Sequence, residues 1–274
     1  MSQAADPLAR IAAALERIAP APADAVDWLS APAYVWHGAA RAVERLQAPP
    51  LGLLQGIDAQ KGIVVGNVER LAQGHAAHDM LLWGSRGMGK SALLRAAVLA
   101  AQAADPGRIA LIQVAPEALG SLAALFQELG RQPRSFLVFI DDLGFEDHDS
   151  AGPRVLRSWL EGGIEARPGN VRIAVTSNRR AIVPRHLSEQ DDPINPRDSV
   201  DDRLALADRF GLSIGFHACS QDDYLAIIGG YCAAHGLQWK EDEALEWSKR
   251  RGARSGRVAW QFVTELAGRA GKAL

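Results

Sequence analysis

The chain has 274 residues, of which 48% are hydrophobic, so it can bury one large core or a core with a small appended domain. Its formal net charge of −2 gives no global support for nucleic acid or an anionic membrane as the partner, although a local basic patch would still permit nucleic-acid binding. No apolar run approaches the ~18 residues of a membrane span, and a secretory signal pattern is lacking. The cysteines, Cys219 and Cys232, have no motif spacing. We therefore expect a cytoplasmic protein with free thiols.

The N-terminal segment, residues 1–50, is expected to be helical and to precede the main domain. Its first helix is indicated by apolar residues that share one helical face, namely Leu8, Ile11, Leu15 and Ile18. A proline- and alanine-rich stretch follows, and the helix either docks on the main domain or contacts a partner or a second copy. Residues 28–36 are expected to be irregular, with tryptophans packed on the core, and residues 39–46 to form a short helix.

The most informative stretch begins at Gly84 and reads G-x-x-x-x-G-K-S, the P-loop pattern. It follows an apolar run at 80–83, typical of a buried parallel strand, and precedes an alanine- and leucine-rich helix predicted at 92–102. Its glycines let backbone amides converge on phosphate, Lys90 would place its ammonium on the β- and γ-phosphates, and Ser91 would give its hydroxyl to Mg²⁺. The predicted nucleotide-binding residues of this stretch are Gly84, Ser85, Arg86, Gly87, Met88, Gly89, Lys90, Ser91 and Ala92.

An acidic motif follows at a distance that suits a strand–helix–strand unit. Residues 109–114 have the pattern of a strand and residues 121–129 that of a helix. Residues 136–140 then form a continuous apolar run that ends in Asp141 and Asp142. A carboxylate delivered at the carboxyl end of a buried strand is the Walker B arrangement, which holds Mg²⁺ in P-loop proteins. Asp141 is therefore predicted to hold Mg²⁺, directly or through water.

The remainder of the chain completes an α/β core and adds a helical end. The predicted elements are a helix from 152, a strand at 171–176, a long polar loop at 182–199, a short helix at 199–207, a strand at 211–217, and helices from 221, at 241–251 and at 256–271. Because the strand pattern ceases near residue 217, we divide the chain into the N-terminal segment, an α/β nucleotide-binding core at 51–218 and a helical lid at 219–274.

The order of these motifs resembles an AAA+ P-loop ATPase module, from about residue 56 to the C-terminus. The resemblance implies an α/β fold with a five-stranded parallel sheet of order 5-1-4-3-2, flanked by helices and carrying a helical lid. It also implies roles for single residues. Ile57 would lie against the adenine, Asn178 would be the polar sensor after the Walker B strand, and Arg209 would be an arginine finger. Arg257 resembles the second sensor, in the lid, with Arg254 as its rival.

Several short segments of the sequence more narrowly resemble an uncharacterised bacterial AAA+ ATP-binding family known only as a domain of unknown function. They are Leu81-Leu82-Trp83-Gly84, Asp141-Asp142-Leu143-Gly144-Phe145-Glu146, Thr176-Ser177-Asn178-Arg179-Arg180, Asp208-Arg209-Phe210-Gly211 and Ser255-Gly256-Arg257-Val258. The Asp-Asp-Leu-Gly sequence also resembles that of helicase loaders and of the helper ATPases of transposition. The resemblance thus implies an ATP site but identifies no client.

One position departs from the AAA+ pattern. AAA+ enzymes usually have Glu directly after the Walker B aspartate, where it orients the attacking water, whereas this chain has Asp142, which is one methylene shorter. Glu146 lies four residues further on and is the alternative water-orienting carboxylate. Either carboxylate can polarise water, so the sequence leaves both open and favours hydrolysis that is weak or dependent on a partner.

The resemblance implies two alternative functions, both of which require ATP and Mg²⁺ and neither of which involves a membrane. In the first, an ATPase hydrolyses ATP to drive or gate the remodelling or assembly of an unknown protein client. Arg209 would then act on the ATP of the next subunit in a head-to-tail homo-oligomer. In the second, a nucleotide-gated loader or adaptor binds ATP, hydrolyses little of it, and acts on a partner such as nucleic-acid machinery.

Overall fold

The structure is a computed structural model that describes four stretches of the chain: 26–143, 151–161, 167–178 and 207–274. The predicted N-terminal helix, the alternative carboxylate Glu146 and the predicted loop at 182–199 lie outside these stretches.

A sheet of seven strands organises the described residues. In chain order the strands are β1 (Ala33–Trp36), β2 (Ala40–Val43), β3 (Met80–Gly84), β4 (Ile109–Val114), β5 (Ser135–Ile140), β6 (Val171–Ser177) and β7 (Leu212–Phe216). Their spatial order is β2-β1-β4-β5-β6-β3-β7. The outer pair, β1 and β2, is antiparallel, and each other neighbouring pair is parallel. The carboxyl ends of the parallel strands therefore meet at one edge of the sheet.

The sheet has seven strands, so the predicted count of five is wrong. The five expected strands lie as β7-β3-β6-β5-β4, and β1 and β2 form a hairpin that extends the sheet beyond β4. Residues 39–46, predicted as a helix, instead contribute β2, and the predicted boundary at residue 50 separates strands of one sheet. The reason is tertiary, because β1 pairs with β4, with Ala33 opposite Leu111, and so buries aromatic side chains that a four-residue strand cannot bury alone.

Helices cover both faces of the sheet. They are α1 (Asp58–Ala72), α2 (Lys90–Ala104), α3 (Leu122–Leu129), α4 (Ala151–Glu161), α5 (Gln221–His235), α6 (Glu241–Arg251) and α7 (Gly256–Arg269). One hydrophobic cluster joins the sheet to α1, α2 and the C-terminal helices and includes Leu93 and Phe262. A second cluster, on the opposite face, includes Phe126 of α3 and Leu156 of α4. These layers give an α/β fold of the P-loop NTPase type, as predicted.

Residues 219–274 form three helices, as the sequence pattern indicated, and the last of them begins in contact with the P-loop. Ser220 and Asp223 form a capping box at the start of α5, and Ser255 caps α7 by accepting a hydrogen bond from the Val258 amide at 3.2 Å. A Cβ on Gly87 would lie 2.8 Å from Ser255 Oγ, so the start of α7 rests directly on the glycine loop. Within the described stretches, no helix is both long and apolar enough to cross a membrane.

Candidate nucleotide-binding site

The P-loop joins the end of β3 to the start of α2, and its glycines are required by the local backbone. Gly84 has a φ of 117°, and a Cβ there would lie 2.1 Å from the carbonyl oxygen of Phe216 on the neighbouring strand β7. That carbonyl accepts a hydrogen bond from the Ser85 amide at 2.8 Å. Gly87 and Gly89 also have left-handed φ values, 74° and 86°. The loop is therefore curled at the carboxyl end of the sheet, with the N-terminus of α2 directly behind it.

Lys90 is the buried cation of the site. Its side chain points back into the loop, where Nζ donates to the carbonyl oxygens of Gly84 and Ser85, each at 2.9 Å, and to Asn178 Oδ1 at 3.1 Å. These three bonds use all three donors of the ammonium group. Burial lowers the pKa of Lys90 from its ordinary value, and the carboxylates of Asp142 and Asp141 oppose that shift.

The Asp141 carboxylate at the end of β5 meets the P-loop serine. Ser91 Oγ donates to Asp141 Oδ1 at 2.6 Å, and Thr176 Oγ1, from β6, donates to the same oxygen at 2.7 Å. Thr176 was not among the predicted site residues. Its signal in the sequence is its position two residues before Asn178, because residues two apart point to the same face of a strand.

Asp142 is held by Thr176 of β6 and by Asn178 directly after that strand. It has a φ of 51°, a left-handed value that no other described non-glycine residue shares. Its amide donates to Thr176 Oγ1 at 2.8 Å, and its Oδ1 accepts from Asn178 Nδ2 at 2.5 Å. Arg86 lies 3.9 Å from its other carboxylate oxygen, but both side chains are exposed, so this ion pair contributes little. Asn178 thus links Lys90 to Asp142, and the other candidate base, Glu146, lies outside the described residues.

A cleft of about 1150 Å³ lies over the P-loop, between the core and the lid. Its lining includes an apolar group from the chain before α1, from the P-loop and from the lid: Leu54, Ile57, Met88, Ile227, Tyr231 and Trp260. Arg257 lines the cleft as well, and its backbone amide donates to the Gly87 carbonyl at 3.1 Å. Its rival Arg254 is exposed and is not part of that lining. The size and the mixed lining suit a nucleotide, with its base on the apolar part.

Arg209 lies outside the cleft, just before β7. Its guanidinium pairs with Glu161 at the end of α4 within the same chain, and both side chains are partly exposed. The structure therefore brings together Lys90, Ser91, Asp141, Asp142 and Asn178, and it separates Arg209 from them.

The residues present fit a magnesium nucleotide. The Ser91 hydroxyl and the Asp141 carboxylate are hard oxygen donors of the kind that Mg²⁺ prefers, and two protein ligands leave room for phosphate oxygens around the ion. No group of three or more His, Cys, Asp or Glu side chains able to hold a metal occurs among the described residues. The glycine backbone and Lys90 suit the phosphates. A bound Mg²⁺ would supply charge neutralisation to the phosphoryl groups.

Solved structures confirm the fold. A variant of RuvB from Thermotoga maritima is 18% identical and has a TM-score of 0.54 over 83% of this chain and 68% of its own. A second structure of that protein, described as a Holliday junction branch migration motor, is 17% identical, with a TM-score of 0.53 and the same coverage. The Aeropyrum pernix ORC1 protein in complex with DNA is 16% identical, with a TM-score of 0.55 over 79% of this chain and 61% of its own. RuvB and ORC1 are AAA+ P-loop ATPases, so at this identity the likeness shows the AAA+ fold.

Sequence comparison identifies the family. No curated protein matches the sequence significantly. A family model described as "Protein of unknown function (DUF815)" matches residues 29–270, nearly the whole chain. This match agrees with the resemblance to an uncharacterised AAA+ family that the sequence motifs indicated. The chain therefore belongs to the DUF815 family, and it has the fold of AAA+ P-loop ATPases.

Proposed function

We propose that this protein binds Mg-ATP in the cleft over the P-loop and hydrolyses it to drive or gate the remodelling or assembly of a partner protein. The observation that carries the proposal is the convergence of Lys90, Ser91 and Asp141 at the mouth of a glycine loop, with Asn178 in hydrogen-bond contact with Lys90. These groups supply a cation for the phosphates, two oxygen ligands for Mg²⁺, and a polar amide beside them.

Binding requires only local exchanges of hydrogen bonds. Since all three donors of Lys90 are in use, the ammonium must give up at least one present acceptor to reach a phosphate oxygen. The bond to Asn178 is the one whose loss leaves the P-loop backbone unchanged. Ser91 Oγ has lone pairs that would hold Mg²⁺ while its proton stays on Asp141 Oδ1. The backbone of the loop is already curled, so the site is largely formed before the nucleotide arrives.

The water-orienting carboxylate is Asp142 or Glu146 in this proposal. The bond from Asn178 Nδ2 occupies Asp142 Oδ1, so Oδ2 is the oxygen available to accept a proton from water. Asp142→Asn and Glu146→Gln separate the two candidates, and the substitution that abolishes turnover while ATP still binds identifies the base. If neither lowers turnover, the assignment of this role to the two carboxylates is wrong.

Arg209 is proposed to act on ATP bound by the next copy of the chain, in a head-to-tail homo-oligomer. Its position outside its own cleft supports this arrangement. For the second sensor we propose Arg257, because Arg257 lines the cleft and Arg254 does not. Arg257 would report the state of the nucleotide to the lid through the start of α7.

A second candidate function is a nucleotide-gated loader or adaptor with little hydrolysis of its own. Two observations favour it, since the short Asp142 carboxylate is engaged by Asn178 and Arg209 is engaged by Glu161. A DNA partner is worth testing because one fold neighbour is described in complex with DNA and another as a branch migration motor. The net charge of −2 gives no support to it, and salt-dependent binding in a mobility-shift assay would provide that support.

The deciding experiment measures ATP binding and ATP turnover against protein concentration. Lys90→Ala is expected to weaken ATP binding about 10- to 100-fold, because charge-assisted hydrogen bonds are worth about 1.5–3 kcal/mol. Lys249→Ala, on the exposed face of α6, is the matched control and should bind as the wild type does. Equal ATP binding by wild type and Lys90→Ala would contradict the proposed function.

The same assay separates the two candidate functions. A specific rate that rises with concentration and falls at least about 100-fold in Arg209→Ala indicates an oligomeric ATPase, because arginine fingers contribute factors of that size or more. Glu161→Gln is the control, since it removes the ion-pair partner of Arg209 while leaving Arg209 in place. A flat rate near zero, together with ATP binding, indicates the nucleotide-gated module.

A further inference from the structure

Thr176 stands at the junction of the two Walker B aspartates. It is the sixth residue of β6, it is only 2% exposed, and it lies beside the end of β5. Its hydroxyl donates to Asp141 Oδ1 at 2.7 Å and accepts from the Asp142 amide at 2.8 Å. One hydroxyl group therefore uses its single proton on one aspartate and a lone pair on the other.

The main chain of Thr176 adds a third link. Its carbonyl oxygen accepts from the Leu143 amide at 2.9 Å, so three consecutive residues after β5 are attached to one residue of β6. These bonds fold the chain across the end of β6 and hold Asp142 in its left-handed conformation, which non-glycine residues seldom adopt. The direction of both aspartate side chains thus depends on Thr176.

The bond to Asp141 has a specific consequence for Mg²⁺. At present Asp141 Oδ1 accepts from both Ser91 and Thr176. Ser91 Oγ would also be a ligand of the cation, so Thr176 is the one of these two donors whose hydroxyl serves only to fix the rotation of the carboxylate. Hydrogen bonds to a ligating carboxylate set its orientation, and their removal typically lowers metal affinity 10–100-fold.

We propose that the Thr176 hydroxyl is a positioning group for the magnesium site, which orients the Asp141 carboxylate and fixes the turn at Asp142. This inference rests on the proposed function, because it assumes that Mg²⁺ and a nucleotide bind at the P-loop. Thr176 itself acts through the two aspartates, neither as a ligand nor as a base.

The test compares Thr176→Val, which keeps the shape and removes the hydroxyl, with Thr176→Ser, which keeps the hydroxyl. ADP binding is measured by calorimetry in EDTA and across a Mg²⁺ titration, so that the affinity for Mg²⁺ is read without any turnover. Thr176→Val is expected to need at least about 10-fold more Mg²⁺ for the same gain in ADP affinity. Its ADP affinity in EDTA should stay within about twofold of the wild type, and Thr176→Ser should recover the wild-type Mg²⁺ dependence.

Two outcomes overturn the inference: a wild-type Mg²⁺ dependence in Thr176→Val, or a Thr176→Ser variant as impaired as Thr176→Val. ADP binding in EDTA also checks that each variant is folded at the site. If Thr176→Val fails that check, Thr176→Ala is the second hydroxyl-free variant, and the same shift in Mg²⁺ dependence is expected. A wild-type protein that binds no ADP with or without Mg²⁺ would instead contradict the proposed function, so the two failures are distinct.

Discussion

The P-loop follows a strand of the same sheet that contains the β1–β2 hairpin, but different interactions stabilise the two regions. At the P-loop the residues are glycines and short polar side chains. Lys90 donates to backbone carbonyls of the loop, and Ser91 donates to Asp141. At the hairpin the residues are large aromatics, with Tyr34 and Trp36 almost fully buried. The P-loop is thus stabilised by closely packed, hydrogen-bonded backbone, whereas the hairpin is stabilised by burial of apolar surface.

The polar atoms of the hairpin aromatics also have hydrogen-bond partners. Trp28 and Tyr34 pack with ring centroids 4.8 Å apart, and the Tyr34 hydroxyl donates to the Asp27 carbonyl at 2.7 Å. Trp36 Nε1 donates to Ser121 Oγ at 2.8 Å, which ties the hairpin to the turn before α3. None of these aromatic residues lines the cleft over the P-loop. Substitutions at the hairpin should therefore change stability and leave nucleotide binding unchanged, and the predictions below test that separation.

The largest effect is expected for Gly84→Ala, which puts a Cβ where the Phe216 carbonyl oxygen lies 2.1 Å away, at a φ of 117°. Strain at this φ and overpacking against backbone together should lower the free energy of unfolding by about 4 kcal/mol. Chemical denaturation measures it. The control is Gly62→Ala in α1, where no atom lies within 4 Å and a helical alanine should raise stability by roughly 0.5–1 kcal/mol. Equal stabilities of the two variants would contradict this account.

Arg134→Met should cost about 3 kcal/mol, the next largest effect, on the hairpin side. The buried Arg134 guanidinium donates to four carbonyl oxygens, including those of Trp28 and Ala31 just before β1. Methionine fills similar space but removes all four bonds. The Ile109 carbonyl keeps a bond from Gln102 Nε2 at 3.0 Å, whereas the other three carbonyls lose this donor, and each buried unpaired group is costly. Denaturation gives the change in stability, and calorimetry should give an ATP affinity within about twofold of the wild type. A loss of ATP affinity in the folded variant would break the proposed separation.

Trp36→Phe should have a smaller effect, about 1 kcal/mol, because it removes one hydrogen bond and part of a ring. Ser121→Ala removes the acceptor of the same bond. A double-mutant cycle should show that the two substitutions are not additive, since they share this bond. Additive losses would mean that Trp36 acts through packing alone.

The smallest effect on stability near neutral pH is expected for Cys219 and Tyr224. Cys219 is the first residue of the segment 219–274, and Tyr224 lies in the first turn of α5. Burial raises the pKa of Cys219 to about 11 and that of Tyr224 to about 12. The native state therefore keeps protons that the unfolded state loses above pH ~9, so stability must fall as pH rises, by at most about 1.4 kcal/mol per pH unit for each group. Cys219→Ala should flatten this fall between about pH 9 and 10.

Denaturation midpoints at several pH values measure that slope. Lys90, whose lowered pKa acts in the opposite sense, is present in both proteins, so its contribution cancels. Trp36→Phe is the hairpin control and should retain the wild-type slope. If Cys219→Ala keeps the full slope as well, the alkaline loss of stability originates in groups other than Cys219. Both cysteines are buried and free in the structure, as the sequence analysis expected for free thiols.

The sequence alone determined the P-loop, the Walker B strand and the helical end of the chain, because these depend on local patterns. Glycine spacing, an apolar run ending in aspartate, and helix caps are short-range signals, and tertiary contacts do not override the local structure that they specify. Only the tertiary structure decided the hairpin at residues 33–43, the contacts of Thr176, and the contact of Arg257 with the P-loop. Each depends on which distant segment lies alongside: β4 for the hairpin, the end of β5 for Thr176, and the P-loop for Arg257. Such neighbours are set by the packing of the whole sheet, and no local pattern records them.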